Sequence, residues 1–341
     1  MNIKKLVDQI AEKLQSTEQT FWLLQAITKK TKSQLLFEDI KLTQEQLAKI
    51  DDWVEKITKQ HMPIQYLIGS VPFLDCEILV EPPILIPRPE TEEWVAGLIE
   101  ELKAVRLDPS THCAPSGRTA GEKEINILDM CTGSGCIAIA IAKALPLLRQ
   151  GFQPSPGGYG GHVEGQAQAQ VVAVDISDKA IALAQKNIAL NNVSNVTVVK
   201  SDLFASFDSL HLLPAVAGGY GGHGRMFKKE IKFDLIVTNP PYIDEALFDT
   251  LDLSVKNWED PNALISKEGG LFLIKRIIKE APKYLHKNAE FVSLNIPNLV
   301  IEIDETQGEQ VVKLMQEAGF VNMQIKKDLY GKDRVVCGLL K

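Results

Sequence analysis

The residues best suited to chemistry are Asn239, Pro240, Pro241 and Tyr242, which follow an apolar run at residues 233–238 typical of a buried parallel strand. The Asn239 carboxamide oxygen can accept a hydrogen bond from a substrate amino group. Each proline fixes its own φ and lacks an N–H, so the Pro240 carbonyl is expected to stay available as a second acceptor. Tyr242 would supply a flat wall for stacking. The alternative interpretation is an ordinary turn that closes a strand, because Asn and Pro are both turn formers.

A glycine-containing turn lies between two apolar runs, at 125–130 and 136–142, that predict a strand followed by a helix. The turn consists of Cys131, Thr132, Gly133, Ser134 and Gly135. Its glycines permit positive φ and let a ligand approach the backbone closely. Ala138 replaces the third glycine of the dinucleotide-binding pattern G-x-G-x-x-G, and since alanine is tolerated there, this turn alone does not exclude NAD.

Acidic residues lie at the ends of three successive predicted strands, at Asp129, Asp175 and Asp202. A carboxylate at the end of the second strand can accept hydrogen bonds from both ribose hydroxyls of a nucleoside. Asp202 and its apolar neighbour Leu203 suit an adenine, which has an amino group and flat faces. Asp175 could equally cap the following helix, although Ser177 already fills that role. Three acidic strand ends before an Asn-Pro-Pro-Tyr sequence favour a nucleoside site over ordinary turns.

The order of these residues resembles class I S-adenosylmethionine-dependent methyltransferases that act on planar amino groups, which include DNA adenine and protein glutamine enzymes. Two stretches, at 63–69 and 85–92, further resemble the interdomain region of the peptide chain release factor N5-glutamine methyltransferase family. The C-terminal part matches the same family in the patterns Glu259-x-Pro261-x-Ala263-Leu264, Glu302-x-x-x-x-Gln307-Gly308 and Asp328-Leu329-x-Gly331-x-Asp333-Arg334. The resemblance covers nearly the whole chain outside three insertions.

The resemblance implies an α/β fold: a Rossmann-like class I methyltransferase sheet with a small helical N-terminal domain and a linking β-hairpin. It implies an enzyme that uses S-adenosyl-L-methionine to methylate the side-chain amide nitrogen (N5) of the glutamine in the Gly-Gly-Gln motif of a peptide chain release factor, its protein partner. A glutamine methyltransferase of a ribosomal protein and a DNA adenine N6-methyltransferase remain alternatives, as does a non-catalytic binding module. The stretch at 87–92 favours the release factor enzyme.

The family's motifs also imply roles for individual residues. The cofactor is expected to contact Asp129, Cys131, Thr132, Gly133, Ser134, Gly135, Asp175, Asp202, Leu203 and Asn239. The substrate glutamine is expected to bind Asn239, Pro240, Pro241 and Tyr242, with Asn239, Pro240 and Tyr242 as catalytic residues. Cys131 stands where a glycine is more usual, and Leu203 where an aromatic residue often packs on the adenine. Glu90 and Glu92 are expected either to order the site or contact the cofactor, or to be helix N-terminal carboxylates only.

Composition restricts the partners and the compartment. The 341 residues carry a net charge of −7, which argues mildly against a duplex DNA reader and predicts no direct nucleic-acid binding. The five cysteines, at positions 76, 113, 131, 136 and 337, form no C-x-x-C pair or zinc spacing, which predicts free thiols and no metal. No apolar run approaches the ~20 residues that span a bilayer. With no signal-peptide pattern at its start, the chain is expected to be cytoplasmic.

Helical spacing of apolar residues near the N-terminus predicts a helical substrate-recognition domain over residues 1–70. A β-hairpin linker is expected at 71–87 and the methyltransferase domain at 88–341. Three segments are rich in Gly, Pro, Ser, Ala and Gln and are predicted to be disordered insertions at the N-terminal edge of the sheet. They are residues 107–122, 150–170 and 209–229, and the last two each contain the sequence Gly-Gly-Tyr-Gly-Gly-His.

Overall fold

A computed structural model describes residues 3–103, 124–145, 168–209 and 231–341. The predicted disordered insertion at 107–122 lies outside these residues, as do residues 150–167 and 210–229 of the other two. Two of the predicted boundaries are wrong. Gln168 and Ala169 already pair with Glu124 and Ile125 in a parallel ladder, and a short helix extends to Ser209.

The helices lie on both sides of the sheet and in the N-terminal region. They are α1 Ile3–Leu14, α2 Thr17–Thr28, α3 Lys32–Phe37, α4 Gln44–Gln60, α5 Ile64–Ile68, α6 Pro89–Lys103, α7 Cys136–Ala144, α8 Asp178–Leu190, α9 Ala205–Ser209, α10 Leu253–Lys256, α11 Pro261–Leu264, α12 Phe272–Tyr284, α13 Ala289–Leu294 and α14 Gly308–Glu317. A 3-10 helix covers Glu245–Thr250. The strands are β1 Ser70–Phe73, β2 Cys76–Leu79, β3 Glu124–Met130, β4 Gln168–Asp175, β5 Val196–Lys200, β6 Leu235–Thr238, β7 Ile243–Asp244, β8 Ile265–Ser266, β9 Leu299–Glu302, β10 Phe320–Lys327 and β11 Asp333–Leu340.

The N-terminal helices begin at clear capping residues. The hydroxyls of Thr31 and Thr43 accept from the backbone N–H groups of Gln34 and Gln46. The side-chain oxygens of these glutamines accept from the threonine N–H groups, which makes capping boxes at α3 and α4. The apolar faces of α1 to α5 pack into one cluster around buried residues such as Leu24. The helical N-terminal region is therefore confirmed, while its extent as a domain over 1–70 stays a prediction.

The linking hairpin is shorter than predicted. Strands β1 and β2 pair antiparallel from Ser70 with Leu79 to Phe73 with Cys76, so residues 80–87 of the predicted linker lie outside the hairpin. One asparagine side chain of α8, that of Asn187, attaches the hairpin to this helix and to the glycine turn. Asn187 accepts from the Leu79 backbone and donates to the Leu79 and Ser134 carbonyls.

Among the described residues, seven strands form one sheet in the order β10-β11-β9-β6-β3-β4-β5, with β11 antiparallel to both neighbours and the other pairs parallel. One apolar cluster joins the sheet to α6, α7 and the hairpin, and a second joins the other face to α12 and α14. The chain leaves β3 toward β4 and β5, and later returns to β6 on the other side of β3. Such a reversal opens a crevice at the carboxyl ends of the strands, where open α/β sheets bind ligands.

Candidate active site

The glycine turn and the Asn-Pro-Pro-Tyr segment meet at this crevice because they follow adjacent strands. Met130, the last residue of β3, is in register with Thr238, the last residue of β6. The Thr238 hydroxyl donates to the Met130 carbonyl at 2.8 Å and joins the two strand ends. Cys131 and Asn239 therefore leave the sheet at the same level.

The glycine turn has the backbone that its composition predicts. Gly133 and Gly135 have φ of 55° and 83°. A Cβ on Gly135 would lie 3.2 Å from the Ala184 Cβ of α8, whereas one on Gly133 would meet no atom within 4 Å. Gly135 thus allows close packing of the turn against a helix, and Gly133 faces open space at the crevice.

Asp129 supports the glycine turn through two hydrogen bonds. Its side chain is fully buried, and one carboxylate oxygen accepts from the Thr132 hydroxyl at 2.5 Å and from the Ala138 N–H at 3.1 Å. The other oxygen has no hydrogen-bond partner among the described residues. Burial raises the pKa of Asp129 to about 7.

Asp175 connects the glycine turn to the end of β4. One of its oxygens accepts from the Gly133 N–H at 3.0 Å and the other from the Ser177 N–H at 2.9 Å. A carboxylate has about four lone-pair positions, so each oxygen keeps capacity for one more donor. Burial raises the pKa of Asp175. The neighbouring Ile176 side chain is 63% exposed and offers an apolar surface beside this carboxylate.

Asp202 and Leu203, which follow β5, occupy different environments. The exposed Asp202 side chain pairs with Arg276 through one oxygen at 3.1 Å. The Leu203 side chain is only 5% exposed and packs in the apolar cluster under the sheet. The structure therefore brings Asp202 to the crevice edge but leaves little of Leu203 open to a ligand.

The two acceptors predicted after β6 belong to consecutive residues. The Asn239 side-chain nitrogen donates to the Thr91 hydroxyl oxygen at 3.2 Å. Among the described residues, no donor contacts the Asn239 side-chain oxygen or the Pro240 carbonyl. The side chain of Asn239 is half-buried, and Pro240 and Pro241 are buried.

Tyr242 is held at both ends of the residue. Its hydroxyl donates to Glu302 at 3.2 Å, and its carbonyl accepts from the Gln307 side-chain nitrogen at 2.9 Å. The same nitrogen donates to the Gly269 carbonyl at 2.9 Å. Burial raises the pKa of Tyr242, so its hydroxyl stays protonated at neutral pH. Gly270 lies so close to Tyr242 that an added Cβ would be 1.8 Å from its carbonyl oxygen.

Glu302, at the end of β9, forms the centre of a buried hydrogen-bond network. Thr91 and Trp94 of α6 each donate to one of its oxygens at 2.7 Å, and Tyr242 donates to the other. Burial raises the pKa of Glu302. The residue patterns assigned no role to Thr91, Glu302 or Gln307. The sequence did contain a signal for Glu302. It is an acidic residue at the end of an apolar run, as Asp175 is.

Comparisons with known proteins match both the N-terminal region and the methyltransferase region of the chain. The family profile described as PrmC N-terminal domain matches residues 4–69, and the profile described as methyltransferase domain matches residues 121–332. A release factor glutamine methyltransferase of Thermodesulfovibrio yellowstonii is 32% identical over 310 residues, 91% of this chain and 88% of the relative. One of Geobacter sulfurreducens is 32% identical over 321 residues, 94% of this chain and 88% of the relative. The chain belongs to the release factor glutamine methyltransferase family.

Solved structures that are similar to this chain are more distant. A crystal structure of ribosomal protein L11 methylase from Lactobacillus delbrueckii subsp. bulgaricus is 17% identical, with 76% of this chain and 83% of that chain covered and a TM-score of 0.39. Similarity at this level carries no functional assignment. Over the ranges that the structure describes, no helix is long and apolar enough to cross a membrane.

Two stretches that resemble the family's interdomain region have structural roles. Arg88 donates to both oxygens of the buried Glu259 at 2.7 and 2.6 Å, which ties the start of α6 to the segment before α11. Glu92 accepts from the Leu74 N–H at 2.7 Å in the hairpin turn. Glu90 and Glu92 both lie in the first turn of α6, as the helix-terminus interpretation expects. Tyr66 donates to the Ile84 carbonyl at 2.8 Å. This bond joins the N-terminal helices to the segment between the hairpin and α6.

Proposed function

We propose that this protein methylates the side-chain amide nitrogen of the glutamine in the Gly-Gly-Gln motif of a peptide chain release factor, with S-adenosyl-L-methionine as the methyl donor. The observation that carries the proposal is the pair of open acceptors at the end of β6, the Asn239 side-chain oxygen and the Pro240 carbonyl. Two adjacent acceptors match the two N–H donors of one primary amide. Membership in the release factor glutamine methyltransferase family supports the same substrate.

S-adenosyl-L-methionine supplies, when bound, an electrophilic methyl group on a sulfonium. The residues around the glycine turn suit such a nucleoside ligand. Asp175 keeps one free acceptor position on each oxygen for the two ribose hydroxyls, and Gly133 leaves open space before the turn. Asp202 offers its second oxygen to the adenine amino group, and Ile176 an apolar surface to the ring. Asp129 fixes the same turn through its bonds to the Thr132 hydroxyl and the Ala138 N–H.

On the substrate side, the chain supplies position and polarity. A carboxamide nitrogen is a poor nucleophile because its lone pair is delocalised into its own carbonyl. Acceptance of both N–H bonds by Asn239 and Pro240 draws electron density toward the nitrogen and fixes the direction of its lone pair. Positioning of the reacting atoms within about 3–3.5 Å supplies several kcal/mol of the barrier. The half-buried Tyr242 ring provides a wall beside the amide plane.

No side chain is assigned as a general base. Glu302, the carboxylate of the buried network, already accepts from Thr91, Trp94 and Tyr242 and contacts the Asn239 side chain through Thr91. The amide proton becomes acidic only as the new N–C bond forms, so its loss can follow the transfer. The Pro240 carbonyl and the Asn239 oxygen therefore act by holding the nitrogen and not by removing its proton.

The helical region before the hairpin is proposed as the recognition element for the protein substrate. It is joined to the segment before α6 by Tyr66, which donates to the Ile84 carbonyl at 2.8 Å, and to the segment before α11 by Trp258, whose indole donates to the Gln60 carbonyl at 2.9 Å. A rigid second surface at this place would enlarge the contact with a folded partner without touching the reacting atoms. Remote contacts of this kind raise kcat/KM through positioning of the reacting group.

A three-acceptor assay tests the proposed function. The enzyme is incubated with methyl-labelled S-adenosylmethionine and, in parallel, a release factor with Gly-Gly-Gln, a ribosomal protein and duplex DNA rich in adenine. We expect label on the release factor alone, and none on a release factor in which that glutamine is replaced by alanine. Label on DNA or on the ribosomal protein in preference to the release factor would contradict the assignment of the substrate.

A further inference from the structure

Glu302 is connected to the Asn239 side chain through Thr91. Its side chain is 1% exposed, and the two α6 residues that donate to it, Thr91 and Trp94, are 2% and 8% exposed. Thr91 is the contact between this carboxylate and the side chain of Asn239. The chain of contacts thus runs from β9 through α6 to the proposed catalytic carboxamide.

The direction of each hydrogen bond in this chain follows from the number of protons available. The Trp94 indole nitrogen can only donate, and an ionised carboxylate can only accept. Thr91 has one hydroxyl proton, which it gives to Glu302 at 2.7 Å. The Thr91 oxygen is therefore left as an acceptor, and only the NH2 end of the Asn239 carboxamide can satisfy it, at 3.2 Å.

We propose that Glu302 is a positioning residue that, through Thr91, sets which end of the Asn239 carboxamide faces the substrate. With the NH2 end turned to Thr91, the oxygen is turned to the crevice, where it meets the N–H of the substrate amide. A flipped carboxamide would present a donor to another donor. The inference rests on the proposed function. It adds the hydrogen bonds that turn the Asn239 oxygen toward the substrate, so that Asn239 serves as an acceptor.

Burial of Thr91 and Glu302 restricts the Asn239 carboxamide to one orientation. Water could exchange with an exposed threonine and reverse the bond to Asn239, but Thr91 and Glu302 are almost completely excluded from solvent. A buried donor left without a partner costs about 1–3 kcal/mol. The same penalty applies to a buried acceptor. If the Thr91 hydroxyl turned toward Asn239, Glu302 would lose one of its donors inside the protein, and this cost keeps the hydroxyl directed at Glu302.

Four variants separate orientation from simple structural support. Thr91→Val removes the acceptor for the Asn239 NH2 group, and Thr91→Ser retains it. Glu302→Leu removes the acceptor for Thr91. Glu302→Gln retains it, because the obligate donor Trp94 holds the new amide oxygen at the position where Thr91 also donates. Thr20→Val is the matched control, since Thr20 is also a buried helical threonine, and its hydroxyl donates to the Ser16 carbonyl at 2.8 Å.

The kinetic readout is kcat and KM on a Gly-Gly-Gln release factor, with cofactor affinity measured by calorimetry. Thr91→Val and Glu302→Leu are expected to lower kcat by about tenfold or more, the value of roughly one hydrogen bond in the transition state, with cofactor Kd within about threefold. Thr91→Ser, Glu302→Gln and Thr20→Val should stay within about threefold of the parent kcat. Equal kcat loss in Thr91→Ser and Thr91→Val, or in Glu302→Gln and Glu302→Leu, would overturn the orientation role.

A second readout does not depend on methyl transfer. In protein labelled with ¹⁵N-asparagine, the Asn239 side-chain NH2 signals, identified by their loss in Asn239→Ala, should show slow hydrogen exchange in the parent and in Thr91→Ser. Fast exchange is expected in Thr91→Val. Equally fast exchange in the parent protein would refute the bond to Thr91. Slow exchange in a protein that does not methylate release factor would leave the network intact and refute the proposed function instead.

Discussion

Substitution of Gly270 by alanine should displace the Asn-Pro-Pro-Tyr segment, although Gly270 lies outside that segment. Gly270 has φ of 83°, and a Cβ at this position would lie 1.8 Å from the Tyr242 carbonyl oxygen and 2.7 Å from its carbonyl carbon. Both atoms belong to the backbone, so no side-chain rotation can relieve the overlap. The same Cβ would lie 2.5 Å from the Gln307 nitrogen that holds the Tyr242 carbonyl.

The neighbouring glycine isolates the steric part of the effect. Gly269 also has positive φ, at 67°, but a Cβ there would meet no atom within 4 Å. Gly269→Ala should therefore lower the free energy of unfolding only by the cost of a left-handed alanine, roughly 1–2 kcal/mol. Gly270→Ala carries the same cost plus an overpacking term of about 1–3 kcal/mol. The expected difference between the two variants is this second term.

The assay is urea unfolding of both variants, combined with methyl transfer to release factor and calorimetry of cofactor binding. Gly270→Ala should be less stable than Gly269→Ala by about 1–3 kcal/mol and should lose most of its kcat, since Tyr242 must move. Cofactor affinity should change less than kcat, because Gly270 contacts the substrate side of the crevice. Equal stability and equal activity of the two alanine variants would refute the close packing of Gly270 on Tyr242.

Three further predictions concern the rest of the site. Asp175→Ala should weaken cofactor binding by roughly 1.5–3 kcal/mol in calorimetry, because a charged acceptor for two hydroxyls is lost; unchanged affinity would refute the ribose assignment. Burial raises the pKa of Asp129 to about 7, whereas the unfolded chain titrates near its ordinary value of about 3.9, so its stabilising contribution is complete below about pH 4 and is lost as the pH rises through 7. The free energy of unfolding of the cofactor-free protein should therefore fall more steeply between about pH 5 and pH 8 than that of Asp129→Asn, and parallel urea-derived curves would contradict this. A chain that begins at Ile64 should keep cofactor affinity and lose most of its kcat/KM on intact release factor but not on a short Gly-Gly-Gln peptide; equal kcat/KM of the truncated and full-length enzymes on intact factor would refute the recognition role of the N-terminal helices.

Local patterns predicted the elements that carry the cofactor side of the site. The strand predicted at 125–130 and the helix predicted at 136–142 are present as β3 Glu124–Met130 and α7 Cys136–Ala144, because apolar residues continue through both elements. β6 begins at Leu235 and not at residue 233, since Phe233 forms an isolated bridge with Leu285 instead of a ladder. The predicted hairpin was too long because its second half contains two consecutive prolines, Pro82 and Pro83, which cannot donate to a ladder.

The support of the tetrapeptide could not be predicted in the same way. Thr91 and Asn239 are 148 positions apart, and Tyr242 and Glu302 are 60 apart, so no local spacing relates them. They meet because α6 packs over the sheet and because β9 lies beside β6, a neighbour relation that only the strand order reveals. The role of Gly270 depends on the carbonyl of a residue in another segment. A single sequence therefore predicted candidate side chains for the site, and the fold was needed to show what contacts them.

Fragmentation mass spectrometry of methylated release factor tests the central claim most directly. The parent enzyme and Asn239→Ala are each incubated with intact release factor and S-adenosylmethionine, and the Gly-Gly-Gln peptide is sequenced in the spectrometer. The parent enzyme should add one methyl group to the side-chain nitrogen of that glutamine, and Asn239→Ala should add none while its cofactor affinity stays within about threefold of the parent value. A methyl group on any other residue, or full methylation by Asn239→Ala, would contradict the account.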